Sequence, residues 1–180
     1  AYKMLNRPEA AIDSLSKAIE IKNDMADIFL LRSGLLTELK QYDQALQDVN
    51  TAIRLAPEEE NAYMQRGAIY EALKDTPSAL QDYTTVVELN PFHEQAYLET
   101  GRLLLEQHLI EEAILHFDEA IENKPDFGRA YTARGKAKEL KGDTIGALDD
   151  LKRGAELTEE TDETSKQPVN FNEMYANRPL

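Results

Sequence analysis

Residues 60–93 read ENAYMQRGAIYEALKDTPSALQDYTTVVELNPFH, and this stretch decides the fold. Tyr63, Gly67 and Tyr70 fall at spacings of three and four, and so do Ala79, Tyr83 and Val86. That is the period of a helix with one apolar face, so the stretch predicts two helices. Asp75-Thr76-Pro77 lies between them as a start signal, with Thr76 the expected cap and Pro77 suited to the first turn. Pro91 closes the unit, which is therefore a helix hairpin.

The hairpin recurs along the chain. Ala11, Ala45, Ala79, Ala113 and Ala147 stand 34 residues apart. A bulky apolar residue follows each by four: Leu15, Val49, Tyr83, Phe117 and Leu151. A small or short one comes three later: Ala18, Ala52, Val86, Ala120 and Gly154. Upstream run Phe29, Tyr63, Tyr97 and Tyr131, each followed after four residues by Ser33, Gly67, Gly101 or Gly135. Pro57, Pro91 and Pro125 close three units. The small columns have a steric reason: two helices approach closely only where no side chain intervenes. The bulky stripes read as core, since each repeat buries a face on its neighbours.

Together these columns resemble the signature of the tetratricopeptide repeat (TPR) family. The resemblance covers about residues 1–159 and implies an all-α, right-handed superhelix of antiparallel helix hairpins. Full repeats are expected at 26–59, 60–93, 94–127 and 128–161. Residues 1–25 match the second half of a truncated repeat, with Tyr2 ending its first helix and that helix expected upstream. The repeat at 128–161 departs from the pattern at Lys138, Gly154 and Glu159, which suggests a C-terminal cap with a polar outer face. A polar linker from Thr158 to Gln167 and a tail at 162–180 follow, whose Phe171, Met174 and Tyr175 are expected to be buried as a lid or in a groove.

Composition narrows the function. The chain carries a formal net charge of −14, which disfavours nucleic acid and anionic lipid as partners. There is no cysteine, so disulfides and thiolate metal sites are excluded. No apolar run approaches the ~20 residues that span a bilayer. The chain starts at Ala1 and reads as a fragment or a trimmed chain. Its compartment is open: the cytoplasm is somewhat favoured, and an extracytoplasmic site is compatible with a leader that has been removed. His93, His108 and His116 show no helical metal spacing among themselves, and no glycine-rich phosphate loop is present. Paired carboxylates such as Glu111-Glu112 and Asp149-Asp150 read as solvated faces. No enzyme activity, metal or cofactor is expected.

In TPR arrays the first helix of each repeat lines the concave surface. Carried over by position, the lining columns begin with Asp27, Asn61, Gln95 and Arg129, then Leu30, Met64, Leu98 and Thr132. Leu31, Gln65, Glu99 and Ala133 follow, then Gly34, Ala68, Arg102 and Lys136. Candidate partner-binding residues are therefore Leu30, Asn61, Met64, Gln65, Leu98, Arg102, Arg129 and Lys136. Arg102, Arg129 and Lys136 are expected to gather as one basic cluster able to meet an acidic group, the alternative being that Glu99, Glu106 and Glu139 neutralise them. The chaperone-type carboxylate clamp of some TPR domains is argued against, because only Arg129 fits its five places.

A second pattern links the repeats. Arg32, Arg66, Thr100 and Arg134 precede the small column, and Asp48, Asp82, His116 and Asp150 lie three after the alanine column. Arginine occurs where aspartate does, and both are missing from the third repeat. This predicts three partly buried structural salt bridges, Arg32–Asp48, Arg66–Asp82 and Arg134–Asp150. The leading reading of function is a scaffold that holds a protein or peptide in a concave groove. The alternatives are a self-assembly module and a regulatory arm of a larger protein.

Overall fold

The computed structural model describes residues 8–166, with side chains through Thr158. All its regular elements are helices: α1 Pro8–Ile21, α2 Ala26–Glu38, α3 Tyr42–Leu55, α4 Glu60–Ala72, α5 Thr76–Leu89, α6 Glu94–Glu106, α7 Ile110–Asn123, α8 Gly128–Lys141 and α9 Thr144–Lys166. α2/α3, α4/α5, α6/α7 and α8/α9 form the hairpins, and each second helix also packs on the next first helix. The result is an all-α solenoid.

Each hairpin turn has one design. The backbone amides of Gln41, Asp75, Leu109 and Asp143 donate to the carbonyls of Leu36, Tyr70, Leu104 and Lys138 at 2.8–3.0 Å. This bond spans a residue in the left-handed region: Lys40 at φ 58°, Lys74 at 64°, His108 at 62° and Gly142 at 89°. Only Gly142 adopts that conformation without a Cβ penalty. The cap of α5 differs from expectation. Asp75 is the cap, its carboxylate accepting from the Ser78 backbone at 3.3 Å, while Thr76 and Pro77 begin the helix.

Size is matched across each hairpin. A Cβ on Gly67 would stand 2.6 Å from the Tyr83 ring, one on Gly101 2.5 Å from the Phe117 ring, and one on Gly135 2.9 Å from Leu151. In the α2/α3 hairpin the bulky partner is only Val49, and there the small position holds Ser33, whose hydroxyl donates to the Ala45 carbonyl at 2.9 Å. Ala45, Ala79 and Ala113, with Val49 and Phe117, have no exposed surface.

The C-terminal end departs from expectation in three ways. α9 runs on to Lys166, so the residues from Thr158 expected as a linker continue the helix past 161. No proline or glycine interrupts that stretch before Pro168, and only the residue preceding a proline is pushed out of the helical region. Lys138 does not face outward; its Nζ lies 2.8 Å from Asp150 within the hairpin. Gly154 is buried where α9 crosses α8, its missing Cβ 2.9 Å from the Gly128 carbonyl. Tyr2, Phe171, Met174 and Tyr175 lie outside the described residues.

Candidate functional site

First helices touch one another along the array, α2 with α4 and α6 with α8, while no second helices meet comparably among the described residues. The first helices therefore lie on the inside of the curve. Among the described residues, three clefts follow that inner side.

The widest, about 870 Å³, lies at the N-terminal end between α1, α2 and α4. Leu30, Leu31 and Leu35 line it from α2, Asn61, Gln65 and Ala68 from α4, and Ala11 and Leu15 from α1. Leu31 is 61% exposed, so its apolar surface is open to a ligand. Gln65 Nε2 donates to the Leu30 carbonyl at 3.2 Å and ties the two first helices together. The contribution of α1 was not foreseen, because α1 belongs to the second-helix class; Tyr83 of α5 and Phe117 of α7 likewise reach the other two clefts.

The middle cleft, about 310 Å³, is lined by Met64, Glu71, Tyr83, Gln95, Glu99 and Arg102. Arg102 is the centre of a network. Its guanidinium bonds Glu71, and it reaches Glu99 at 2.9 Å and Glu106 at 2.7 Å. The Tyr83 hydroxyl donates to the other Glu71 oxygen at 2.6 Å. Burial and that carboxylate push the Tyr83 phenol above its ordinary range.

The third cleft, also about 310 Å³, brings Leu98, Arg102, Arg129 and Lys136 to one site. The three cations meet there, but for Arg102 the alternative of neutralisation holds. Arg102 is neutralised by three carboxylates, one of them Glu71 of the preceding hairpin. Arg129 stands 3.6 Å from Glu99 and is 66% exposed. Lys136 is exposed, with no carboxylate within 4 Å among the described residues. The available cations are thus Arg129 and Lys136, above an apolar floor of Leu98, Leu105 and Ala133.

Away from the clefts lie the three arginine–aspartate pairs. Arg32 Nε and Nη2 donate to the two Asp48 oxygens at 2.6 and 2.7 Å. Arg66 meets Asp82 at 2.9 and 2.7 Å, and Arg134 meets Asp150 at 2.7 and 2.6 Å. All three are bidentate, and the aspartates are buried, so Asp150 does not belong to a solvated face. Each third nitrogen reaches back to the preceding second helix: Arg32 Nη1 to Ser16 at 2.9 Å, Arg66 Nη1 to Asn50 at 2.7 Å, Arg134 Nη1 to Asp118 at 2.6 Å. Ser16, Asn50, Thr84 and Asp118 form their own 34-residue polar column, a signal present in the sequence. Burial raises the Asp150 carboxyl, but the hydrogen bonds from Arg134 and Lys138 outweigh it and hold the group below the ordinary carboxylate range.

The third repeat lacks the pair. Thr100 is buried, and His116 keeps a buried Nδ1 with no hydrogen-bond partner among the described residues. Burial lowers the imidazole's affinity for a proton, with Glu119 and Glu112 partly opposing, and the ring tilts against Tyr97 at 6.0 Å.

The comparisons with known proteins agree with this architecture. The tetratricopeptide repeat profile matches residues 35–92, 67–127 and 98–156, and the chain belongs to that family. No curated protein sequence matches the chain at significant similarity. Among solved structures it is similar to MamA, with a TM-score of 0.77 at 21% identity over 87% of this chain and 91% of that one. MamA from Desulfovibrio magneticus RS-1, from residue 41 to its end, gives 0.76 at 21% identity, covering 87% and 89%. YrrB, described as a TPR protein with an unusual peptide-binding site, gives 0.68 at 22% identity, covering 85% and 79%. At these identities the likeness establishes the fold. No helix among the described residues is long and apolar enough to cross a membrane.

Proposed function

We propose that the chain is a scaffold that holds an extended or helical segment of another protein along its first helices. The observation carrying this reading is the run of three clefts on one side, apolar at Leu30, Leu31 and Leu35 and cationic at Arg129 and Lys136. A segment with apolar residues at one end and a carboxylate side chain at the other matches both. Rigid, packed repeats reduce the ordering cost of holding such a segment. Selection of displayed peptides against the chain tests the reading. Selected peptides are expected to combine an apolar stretch with an acidic residue, and Leu31→Glu and Lys136→Glu are each expected to weaken them about tenfold. If no peptide is selected, or if both variants bind like the parent, the reading fails.

Self-association is a second reading, supported by one observation. Ala11 stands in the column of Ala45, yet it is exposed where Ala45 is fully buried. Light scattering across protein concentrations tests it, and a constant monomer mass excludes it.

A further inference from the structure

The two walls of the third cleft carry opposite charge. On the α6 side three carboxylates, Glu71, Glu99 and Glu106, share the one guanidinium of Arg102, so that wall stays negative. On the α8 side the lining residues are Arg129, Thr132, Ala133 and Lys136, with no carboxylate among them. Glu99 has both oxygens committed, one to Arg102 at 2.9 Å and the other to Gln95 at 2.5 Å. Arg129 reaches it only at 3.6 Å and is therefore loosely held. Lys136 is exposed, with no acidic partner among the described residues.

The spacing of these two cations sets a length. Arg129 and Lys136 are seven residues apart on α8. Seven residues make two turns, so both side chains leave one face of the helix about 10 Å apart. The cleft between the walls holds about 310 Å³. A single turn of a ligand helix, about 10 Å across and about 5.4 Å high, would fill about 420 Å³, so the cleft suits an extended chain. In the polyproline II conformation a chain repeats every three residues and advances about 9 Å, which returns residues i and i+3 to one side. Acidic residues at i and i+3 would thus meet Arg129 and Lys136 together. A residue between them turns toward the apolar floor of Leu98, Leu105 and Phe117.

We infer, building on the scaffold reading above, that the third cleft selects an extended segment with acidic residues at i and i+3 and an apolar residue between them. Charge complementarity with the α8 wall carries the choice, and the negative α6 wall fixes which side of the segment faces which helix.

Tetrapeptides titrated into the full chain test this. Acetyl-Glu-Leu-Pro-Glu-amide has the spacing, and acetyl-Glu-Glu-Leu-Pro-amide has the same charge without it. Affinities are read from the backbone amide shifts of α6 and α8 by nuclear magnetic resonance at low salt. The spaced peptide is expected to bind about fivefold tighter than its isomer. Arg129→Gln and Lys136→Gln are each expected to erase that preference; both side chains are exposed, so the core is untouched. Lys152→Gln, which removes an exposed charge on α9 outside the cleft lining, is expected to leave it intact. Equal affinities for the two isomers overturn the proposal. So does a preference that survives both cleft substitutions, or the absence of any shift at about 10 mM peptide. If displayed peptides are selected and depend on Leu31 yet lack the spacing, this inference alone falls. If none is selected and the spaced tetrapeptide still binds, the scaffold reading falls and the preference of the cleft stands.

Discussion

Breaking the Arg66–Asp82 pair from its two sides should have unequal costs. The Asp82 side chain is 3% exposed and the Arg66 side chain 22%. Arg66→Met leaves a carboxylate buried without its cation, and it also removes the guanidinium from above the Tyr63 and Tyr70 rings, at 5.6 and 6.0 Å. A stranded buried charge costs about 3–5 kcal/mol. Asp82→Leu leaves the cation part-solvated, still bonded to Asn50, and should cost about 1–2 kcal/mol. Replacing both, as Arg66→Met with Asp82→Leu, should cost at most about 2 kcal/mol, because no charge is stranded. The cycle therefore predicts a coupling of about 2 kcal/mol or more. Removing the exposed pair Arg153–Glu156, each side chain 48% exposed, should cost under about 1 kcal/mol and serves as the control. Urea titration followed by circular dichroism gives the totals. Hydrogen exchange on α4 and α5 locates the loss, since repeat arrays also open locally. Equal costs for the two single variants, or a coupling under about 0.5 kcal/mol, would refute a structural role for the pair.

Gly67→Ala should lower the urea midpoint despite alanine's better helix propensity, because the added Cβ meets the Tyr83 ring. The loss, about 1–3 kcal/mol, should largely disappear when Tyr83→Val is added, restoring the size match of the α2/α3 hairpin. Lys74→Gly should raise stability by about 0.5–1 kcal/mol in the same assay by relieving the left-handed turn residue. His116 takes up a proton less readily when folded than when unfolded, so its contribution is complete above about pH 6.5 and declines as the pH falls below that. His116→Phe should flatten the stability profile between about pH 7 and 5. Asp150, also depressed, contributes above about pH 4 and loses its contribution in stronger acid; Asp150→Asn should remove that limb of the acid denaturation curve.

The repeat was legible because each hairpin solves the same packing problem at the same spacing, so Ala45, Ala79 and Ala113 mark one buried site three times. The arginine–aspartate pairs were legible from the joint substitution of both members in the third repeat, to Thr100 and His116. Reading by column fails when partners lie off register. Glu71 and Arg102 stand 31 residues apart, so no column joins them, and the part Glu71 plays in neutralising Arg102 was invisible, unlike that of Glu99 and Glu106. The extension of α9 is not legible from its acidic composition, which suits a linker as well as an exposed helix; nothing in it stops a helix before Pro168. The α5 cap moved by one residue because Asp75 and Thr76 can both accept from the backbone, and geometry chose between them.

The placement of the guanidinium groups has a mechanical consequence. Arg32, Arg66 and Arg134 each fasten one second helix to the next, on the outer side of the curve, where curling the array tighter would stretch the fastening. Between α5 and α6 the fastening moves to the inner side, from Arg102 to Glu71. There it resists straightening and leaves tightening free. The solenoid is therefore a spring of uneven stiffness, and its compliant joint lies beside the middle cleft, where added curvature would bring the first helices closer together.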